Sequence, residues 1–272
     1  MIAFSKSTAT IAAWNLAGFG GIAAERLAKQ VDGLTLIDAE FVTLVEIPAE
    51  ADLITLQTGL AAKGLDYERL FLPQAATENP LNIGVLFKTG ITVENVFLLD
   101  GSDDNDPARR RALVADVKIG KFDFTLIAVH LKSGRSAADQ EIRNRQCMVI
   151  GDFITELRGV NNRNPDILLM GDFNMIPGQD ISNFHYLGGD DLMDFVSSWD
   201  LQERFSHILS AGRANLLDGF AISQKYSTEY IRGSLRLFPM HWSMNLGRER
   251  FRRDVSDHLP FVASFRIDRD RD

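Results

Sequence analysis

A carboxylate and a carboxamide stand two residues apart near the middle of the chain, in the segment Gly171-Asp172-Phe173-Asn174. The segment follows an apolar run at residues 167–170, and a short apolar run bounded by turn residues predicts a buried strand. Binding and catalytic groups often lie where such a strand opens into a loop. Because Gly, Asp and Asn are also common turn residues, the segment alone is equally consistent with a plain turn.

Comparable polar residues recur at the ends or beginnings of other strand-like runs. They are Asn15, Glu46, His130, Asp218, Asp257 and His258. Any one of them can be explained as a cap or turn residue, but the set combines carboxylates, carboxamides and imidazoles. Mg²⁺ prefers oxygen ligands and typically uses one or two carboxylates together with substrate phosphate oxygens. The set therefore predicts metal-assisted hydrolysis of a phosphate ester, with the attacking water activated by His or Asp.

Other catalytic classes lack their sequence signals here. The chain contains no Gly-x-x-x-x-Gly-Lys-Ser/Thr phosphate loop and no Gly-x-Ser-x-Gly elbow. Its one cysteine, Cys147, excludes an internal disulfide and a cysteine-based zinc site, and it is best interpreted as a small buried residue of a helix. No His-x-x-x-His or Glu-x-x-His spacing indicates a histidine-based zinc site.

The apolar patterns predict eight strands and three long helices. The strands are expected at residues 10–14, 41–45, 82–87, 112–117, 122–129, 167–170, 216–222 and 259–267, with a hairpin turn at 119–121. The helices are expected at residues 23–36, 54–64 and 137–158, with short helices or loop at 180–184 and 192–199. This mixture predicts an α/β (α+β) domain with two stacked sheets and outer helices, although the pattern leaves the strand order open.

Composition limits the organisation and the partners. The chain has 272 residues, 45% of them hydrophobic, and no linker-like or repetitive segment, which predicts a single domain over residues 1–272. A net charge of −8 argues against nucleic-acid binding by bulk electrostatics, yet a bound divalent ion can reverse the local field. No apolar stretch is long enough for a membrane span, and the first fifteen residues lack signal-peptide features. We therefore expect a cytoplasmic protein without membrane insertion or an obligatory protein partner, although a removed leader is compatible with the sequence.

Seven motifs, taken in order, resemble the endonuclease/exonuclease/phosphatase superfamily of deoxyribonuclease I-like metal-dependent phosphohydrolases. The motifs are Trp14-Asn15, Val45-Glu46-Ile47, Asn82-Ile83-Gly84-Val85, Val129-His130-Leu131-Lys132-Ser133, Gly171-Asp172-Phe173-Asn174, Leu217-Asp218-Gly219-Phe220 and Ser256-Asp257-His258-Leu259-Pro260. They extend from residue 14 to residue 260, so the resemblance covers nearly the whole chain. It implies a four-layer α/β sandwich, in which two mainly antiparallel sheets are stacked and flanked by helices.

The resemblance also implies metal ligands and water-activating groups. Glu46 is the implied central ligand of Mg²⁺ or Mn²⁺, with Asn15 and Asp257 beside it. Asp172 is implied to position or deprotonate the attacking water.

Further residues are implied to contact the phosphate. Asn174 holds it, and His258 contacts it or acts as the general base while Asp218 accepts a hydrogen bond from the ring. His130 stabilises phosphoryl oxygens or protonates the leaving oxygen. Arg110 is the matching phosphate-binding arginine, with Arg111 as the alternative because three arginines are consecutive.

Two positions depart from the pattern of the family. Ala112 stands where a proline is usual, and Gly219-Phe220 stands where many members have Tyr or His next to the aspartate. The first departure bears on the choice of arginine, whereas the second leaves the acid itself in place.

Three functions remain open at the level of the sequence. The first is a nuclease acting on DNA or RNA, for which the arginines just before Ser256 and Arg135 would hold the polynucleotide backbone at the rim of the site. These rim arginines are Arg248, Arg250, Arg252 and Arg253. The second is a phosphatase or a phospholipase C-like enzyme acting on an inositol phosphate or a lipid headgroup. The third is a catalytically inactive binding module.

The remaining histidines, His185, His207 and His241, are interpreted as surface or structural residues.

Overall fold

The computed structural model describes residues 6–18, 21–74, 81–159, 166–188, 194–195, 205–209, 214–223 and 227–271. The strands in these ranges are β1 (Thr8–Asn15), β2 (Phe41–Ile47), β3 (Tyr67–Phe71), β4 (Asn82–Lys88), β5 (Thr92–Leu98), β6 (Leu113–Ile119), β7 (Phe122–His130), β8 (Ile167–Asp172), β9 (Asp194–Phe195), β10 (His207–Ile208), β11 (Ala214–Asn215), β12 (Asp218–Ile222), β13 (Arg236–Leu237) and β14 (Phe261–Arg266). The helices are α1 (Ala24–Ile37), α2 (Glu50–Ala61), α3 (Ala137–Gly159), α4 (Ile181–Tyr186), α5 (Met240–Ser243) and α6 (Arg248–Asp254).

Two six-stranded sheets form the centre of the fold. The first sheet has the order β13-β14-β1-β2-β4-β3, and the second has the order β5-β6-β7-β8-β12-β9. Each contains one parallel pair, β1 with β2 and β7 with β8, and its other pairs are antiparallel. The predicted pair of mainly antiparallel sheets is therefore confirmed, and the structure supplies the strand order that the pattern left open.

Strand β7 shows why the sheets lie between helices. Its side chains alternate between the two faces of the sheet, as expected for a strand. Leu126 and Ala128 are buried in the core that the second sheet shares with the first sheet, α1 and α2. Ile127 and Val129 are buried in a separate cluster against α3. Both faces of the second sheet are therefore covered, and the four-layer sandwich is confirmed.

Most predicted elements are present, with shifted ends. Helix α2 begins at Glu50 rather than at residue 54, because the Asp52 side chain accepts a hydrogen bond from the Ala49 amide at 3.0 Å and caps its first turn. It ends at Ala61, and Gly64, predicted to be helical, has a φ of 79°. Residues 180–184 contribute to α4, whereas of the segment 192–199 only β9 lies within the described residues. None of the helices in the described part of the chain combines the length and apolar character needed to cross a bilayer.

The antiparallel pairing brings the polar strand ends together. In the second sheet, Asp218 at the start of β12 lies opposite Asp172 at the end of β8. In the first sheet, β14 runs antiparallel to β1 with Phe261 opposite Ala13, so the segment before β14 lies beside Asn15. The ends of some strands and the beginnings of others thus share one edge of the sandwich.

Tight packing at this edge requires a glycine at position 219. A Cβ atom there would lie 2.1 Å from the Phe173 ring. The ring can therefore pack in this position only because residue 219 has no side chain. Phe173 is itself 2% exposed, which leaves the ring little room to move away.

We expect Gly219→Ala to lower the free energy of unfolding by about 1–3 kcal/mol, because the added methyl group overpacks the Phe173 site. The measurement is urea unfolding followed by circular dichroism. The matched control is Gly159→Ala, where no atom lies within 4 Å of the added carbon and stability should be unchanged or slightly higher. Equal stability of the two variants would contradict the packing argument.

Candidate active site

Asn15 links the two sheets through its side-chain amide. Nδ2 donates hydrogen bonds to Glu46 Oε1 at 3.2 Å and to Asp172 Oδ2 at 3.0 Å. The amide oxygen Oδ1 accepts a hydrogen bond from the Ala17 backbone at 2.8 Å. These three partners define the orientation of the amide and direct its NH₂ group, rather than its oxygen, towards the carboxylates.

Glu46 lies at an irregularity near the end of β2. Its φ is 62°, in the left-handed region, and the pairing of β2 with β4 shifts register between Val45 and Ile47. Such a bulge re-aims a side chain at the edge of a sheet. Asn82 stabilises the bulge by donating to the carbonyl oxygen of Ile47 at 3.0 Å, which explains an asparagine at this place in its motif.

His258 and Asp218 form a buried pair across the two sheets. His258 Nδ1 and Asp218 Oδ2 are 2.7 Å apart, and Ser256 and Trp14 fix the His258 backbone by hydrogen bonds to its N–H and C=O groups. Burial alone would lower the pKa of His258, but the Asp218 carboxylate, with Asp172 and Asp257 nearby, raises it to about 10. The predicted pairing of this histidine with Asp218 agrees with this geometry.

Asp172 is a fully enclosed carboxylate at the end of β8. Burial, followed by repulsion from Asp218, raises its pKa to about 7. Its Oδ1 accepts a hydrogen bond from the Asn174 backbone at 2.9 Å, and Asn174 adopts a left-handed φ of 51°. The Asn174 side chain donates to the carbonyl oxygen of Leu131 at 3.1 Å, which joins this turn to the end of β7.

His130 faces Glu46 and Asp172 from the end of β7. Its Nε2 lies 3.7 Å from Glu46 Oε1 and 3.9 Å from Asp172 Oδ2. Burial, with the charges of Arg110 and His258, holds the pKa of His130 well below its usual value. The ring is therefore neutral at physiological pH.

The two candidate arginines point in different directions. Arg111 forms ion pairs with Asp100 at 2.8 Å and with Asp103 at 3.0 Å, away from the site. Burial lowers the pKa of Arg110, and the charges of Glu46 and Asp172 counteract that effect. The structure thus brings Arg110, and not Arg111, towards the carboxylates.

His207 is a site neighbour that the sequence did not identify. Its Nε2 lies 3.5 Å from Asp257 Oδ2, and its ring centroid lies 4.7 Å from that of His258. No motif surrounds it, and it reaches the site because His207 in β10 forms a bridge with His258, 51 residues later in the chain. Of the other two histidines, His241 is buried, as a structural residue would be, and His185 is exposed.

Arg143 is a second residue whose role the sequence did not predict. It supports the loop that follows His130. It is completely buried on α3 and donates to the carbonyl oxygens of Lys132 at 2.9 Å and Gly134 at 2.8 Å. Its Nη2 atom pairs with Asp180 at 3.1 Å, and its Nε atom donates to Asn183 at 3.2 Å. A buried arginine that satisfies two loop carbonyls fixes the loop against the helix.

The predicted rim arginines are only partly available. Arg250 and Arg253 both pair with Asp254 within their own helix, and Arg135 pairs with Asp180 at 3.5 Å. Arg248 lies over the Phe205 ring at 4.4 Å. Arg252 is close enough for its charge to favour the ionised form of Asp257.

The donor set of the site is suited to a divalent cation. Donor atoms of Glu46, His130 and Asp172 lie within 4.8 Å of one another, and so do those of Asp172, Asp218 and His258. The raised pKa of Asp172 results partly from its neighbouring carboxylates, so a cation placed here would relieve that repulsion.

We expect the stability of the metal-free protein to fall as pH rises from 7 to 10. The pKa of His258 is raised from 6.5 to about 10 on folding, so its contribution is complete below about pH 6.5 and is lost as pH rises through about 10. Asp218→Asn should flatten this decline, because it removes the charge that holds the proton. The measurement is thermal unfolding in EDTA, with the exposed Asp123→Asn as the control. Identical pH slopes in Asp218→Asn and the wild type would contradict the pairing.

Comparisons with known proteins identify the fold. No protein-family model matches the sequence, and no curated protein matches it. The structure of Danio rerio TDP2 in complex with a single-strand DNA product has a TM-score of 0.69 at 16% identity, covering 96% of this chain and 99% of that one. ANGEL2, a 2′,3′-cyclic phosphatase, has a TM-score of 0.66 at 15% identity, covering 98% of this chain and 97% of its own. The human Nocturnin catalytic domain with bound sulfate has a TM-score of 0.63 at 16% identity, covering 95% and 94%.

At sequence identities of 15–16%, these similarities establish the fold alone. The similarity extends over almost the whole length of this chain and of each compared protein. The chain therefore has the fold of the deoxyribonuclease I-like endonuclease/exonuclease/phosphatase proteins, as its motif order predicted.

Proposed function

We propose that the chain is a divalent-metal-dependent hydrolase of phosphodiesters, and more specifically a nuclease acting on DNA or RNA. The observation that carries the proposal is the edge at which both sheets contribute to one cluster. There the Asp218–His258 pair at 2.7 Å faces Asp172, while Glu46 and His130 approach from the other side. Buried carboxylates, a paired imidazole and a neutral imidazole are the groups that metal-assisted phosphoryl transfer requires.

We assign Glu46 and Asp257 as the residues that would hold the ion, with Mg²⁺ as the expected metal and Mn²⁺ as an alternative. The ion supplies charge stabilisation at a phosphoryl oxygen when it is bound. Asn15 is better suited to positioning than to ligation, because its amide oxygen accepts the Ala17 N–H group and its NH₂ group donates to Glu46 and Asp172.

The raised pKa values of Asp172 and His258 support different roles for these two residues. His258, with a pKa near 10, is a cation at neutral pH and is suited to contact a phosphate oxygen through Nε2. Asp172, with a pKa near 7, is suited to accept a proton from the attacking water.

The remaining polar groups surround the position where charge develops on the phosphate. His130 is neutral and can donate a hydrogen bond to a phosphoryl oxygen, and Arg110 adds a fixed positive charge. Asn174 is buried, and its side chain is held in place by the hydrogen bond that it donates to the Leu131 carbonyl oxygen. We propose that these three residues bind the phosphate.

Nucleic acid is the substrate class that we favour. Among proteins of this fold, TDP2 was solved with a single-strand DNA product and ANGEL2 with adenosine-2′,3′-vanadate. Both ligands are nucleotide phosphoesters or their analogues, which favours DNA or RNA over an inositol phosphate or a lipid headgroup.

Every position predicted for catalysis also carries a side chain that is able to perform its predicted role, which argues against an inactive binding module. A single domain and a cytoplasmic location remain part of the proposal.

The test is hydrolysis of plasmid DNA, linear DNA, RNA, an inositol polyphosphate and sphingomyelin in Mg²⁺, Mn²⁺ and EDTA. We expect cleavage of DNA or RNA that requires the ion and weakens with added salt. Glu46→Gln should lower kcat/KM by about 10²–10³-fold. Glu68→Gln, which removes an exposed carboxylate on β3, should leave activity unchanged.

Two results would overturn parts of this proposal separately. Turnover of the lipid or inositol substrate alone would refute the nucleic-acid assignment while keeping the chemistry. Wild-type activity in Glu46→Gln would refute the assigned site.

Arg110 and Arg111 form a matched pair for testing phosphate binding. We expect Arg110→Gln to reduce kcat/KM by about 10²-fold, because it removes a partly buried positive charge that faces the carboxylates. Arg111→Gln removes the neighbouring charge, which pairs with Asp100 and Asp103, and should affect activity little. Steady-state kinetics with an activated phosphodiester distinguishes them, and equal losses would show that Arg110 has no specific role.

A further inference from the structure

His207 and His258 each direct one imidazole nitrogen at the carboxylate of Asp257. His207 Nε2 is 3.5 Å from Asp257 Oδ2, and His258 Nε2 is 3.8 Å from Asp257 Oδ1. All three residues offer ligand atoms within 4.8 Å of one another. Ligands of a tetrahedral Zn²⁺ lie roughly 3.3–3.5 Å apart, given Zn–N and Zn–O bonds of about 2.0–2.2 Å. The present separations are 3.5 Å, 3.8 Å and at most 4.8 Å, so side-chain rotations that move the ligand atoms by up to about 1 Å would bring them to these distances.

We propose that His207, Asp257 and His258 form a site for a transition-metal cation of the Zn²⁺ or Co²⁺ type. The site differs in ligand chemistry from the oxygen-rich set around Glu46. Imidazole nitrogens favour late divalent metals over Mg²⁺, which prefers oxygen ligands. The two sites share Asp257.

The ring nitrogens that face Asp257 are the ones free to bind a metal. Nδ1 of His258 is engaged by Asp218 at 2.7 Å, so the ion would bind at Nε2, where it replaces the proton that the ring carries at neutral pH. A carboxylate on the far nitrogen of a metal-binding histidine fixes its tautomer and raises its basicity as a ligand. For His207, Nδ1 is buried and Nε2 is the nitrogen directed at Asp257.

Backbone hydrogen bonds hold these residues in place. The Ile208 amide donates to the Asp257 carbonyl oxygen at 2.7 Å, and the Leu259 amide donates to the Ser206 carbonyl oxygen at 2.7 Å. The Ser206 hydroxyl also accepts the Asp218 amide at 3.1 Å, which connects β10 to the partner of His258. The ligands therefore lie on segments that the fold has already fixed, as a specific metal site requires.

An ion at this site would occupy Nε2 of His258, which the proposed hydrolase uses at the phosphate. Zn²⁺ would then inhibit Mg²⁺-supported hydrolysis, a consequence that rests on the proposed function. The binding site itself does not, because metal binding is measurable without any substrate.

The decisive experiment is therefore a binding measurement. Co²⁺ is titrated into the full chain in excess Mg²⁺, which competes for the oxygen-rich ligands, and binding is followed by visible absorption. We expect His207→Asn to weaken Co²⁺ binding at least tenfold, because it removes one of three protein ligands. The matched control is His185→Asn, which removes an exposed imidazole from α4 and should bind as the wild type does.

A second measurement on the wild type covers the case in which His207→Asn does not fold. X-ray absorption of the Zn²⁺-loaded protein counts coordinated imidazoles by their outer-shell scattering. Two imidazoles are expected for this site. A count of one imidazole or none, or undiminished Co²⁺ binding in folded His207→Asn, would overturn the proposal. One imidazole would fit the group of Glu46, His130 and Asp172 instead.

Discussion

The side-chain amide of Asn15 joins the two sheets at the edge where the candidate site lies. Asn15 ends β1 in the first sheet, and its hydrogen bond to Asp172 reaches the end of β8 in the second. A buried hydrogen bond to a charged group contributes about 1.5–3 kcal/mol, and losing one partner leaves the other unsatisfied. The His258–Asp218 pair makes a second link across the same edge. The spacing of the site depends on these two links, because its residues are divided between the sheets.

Several residues at this edge lower the stability of the folded protein. Glu46 and Asn174 both adopt left-handed backbone conformations, with φ values of 62° and 51°, and such residues cost on the order of 1–3 kcal/mol each. Burial, followed by repulsion from the neighbouring carboxylate of Asp218, raises the pKa of Asp172. Strain and uncompensated charge concentrate here while the apolar clusters on either side of the second sheet stabilise the chain. That contrast is what a preorganised binding site for a cation and a phosphate would produce.

The sequence predicted those parts of the molecule that have strong local signals. Continuous apolar runs identified β7 and β8 because both faces of these strands are buried, whereas the edge strands β3 and β5 are half exposed and carry a mixed pattern. Motif residues such as Asp172 follow strong strand signals and were therefore identified. His207 was missed because its role comes from pairing with a segment far along the chain. The choice between Arg110 and Arg111 likewise needed the acidic partners of Arg111, which three consecutive arginines do not reveal.

Asp257 belongs to both of the ligand sets that we propose at this edge. It lies between His207 and His258, and in the proposed function it also shares a hard cation with Glu46. Hard and softer cations would therefore compete for the same carboxylate, with the outcome decided by whether nitrogen ligands are engaged. Asp218 would influence that balance without being a ligand in either proposed set, because its hydrogen bond occupies Nδ1 of His258 and raises the basicity of the ring. Asp218, a single carboxylate of the second sheet, thus raises the pKa of His258 and would also bias the metal preference that we propose for this edge.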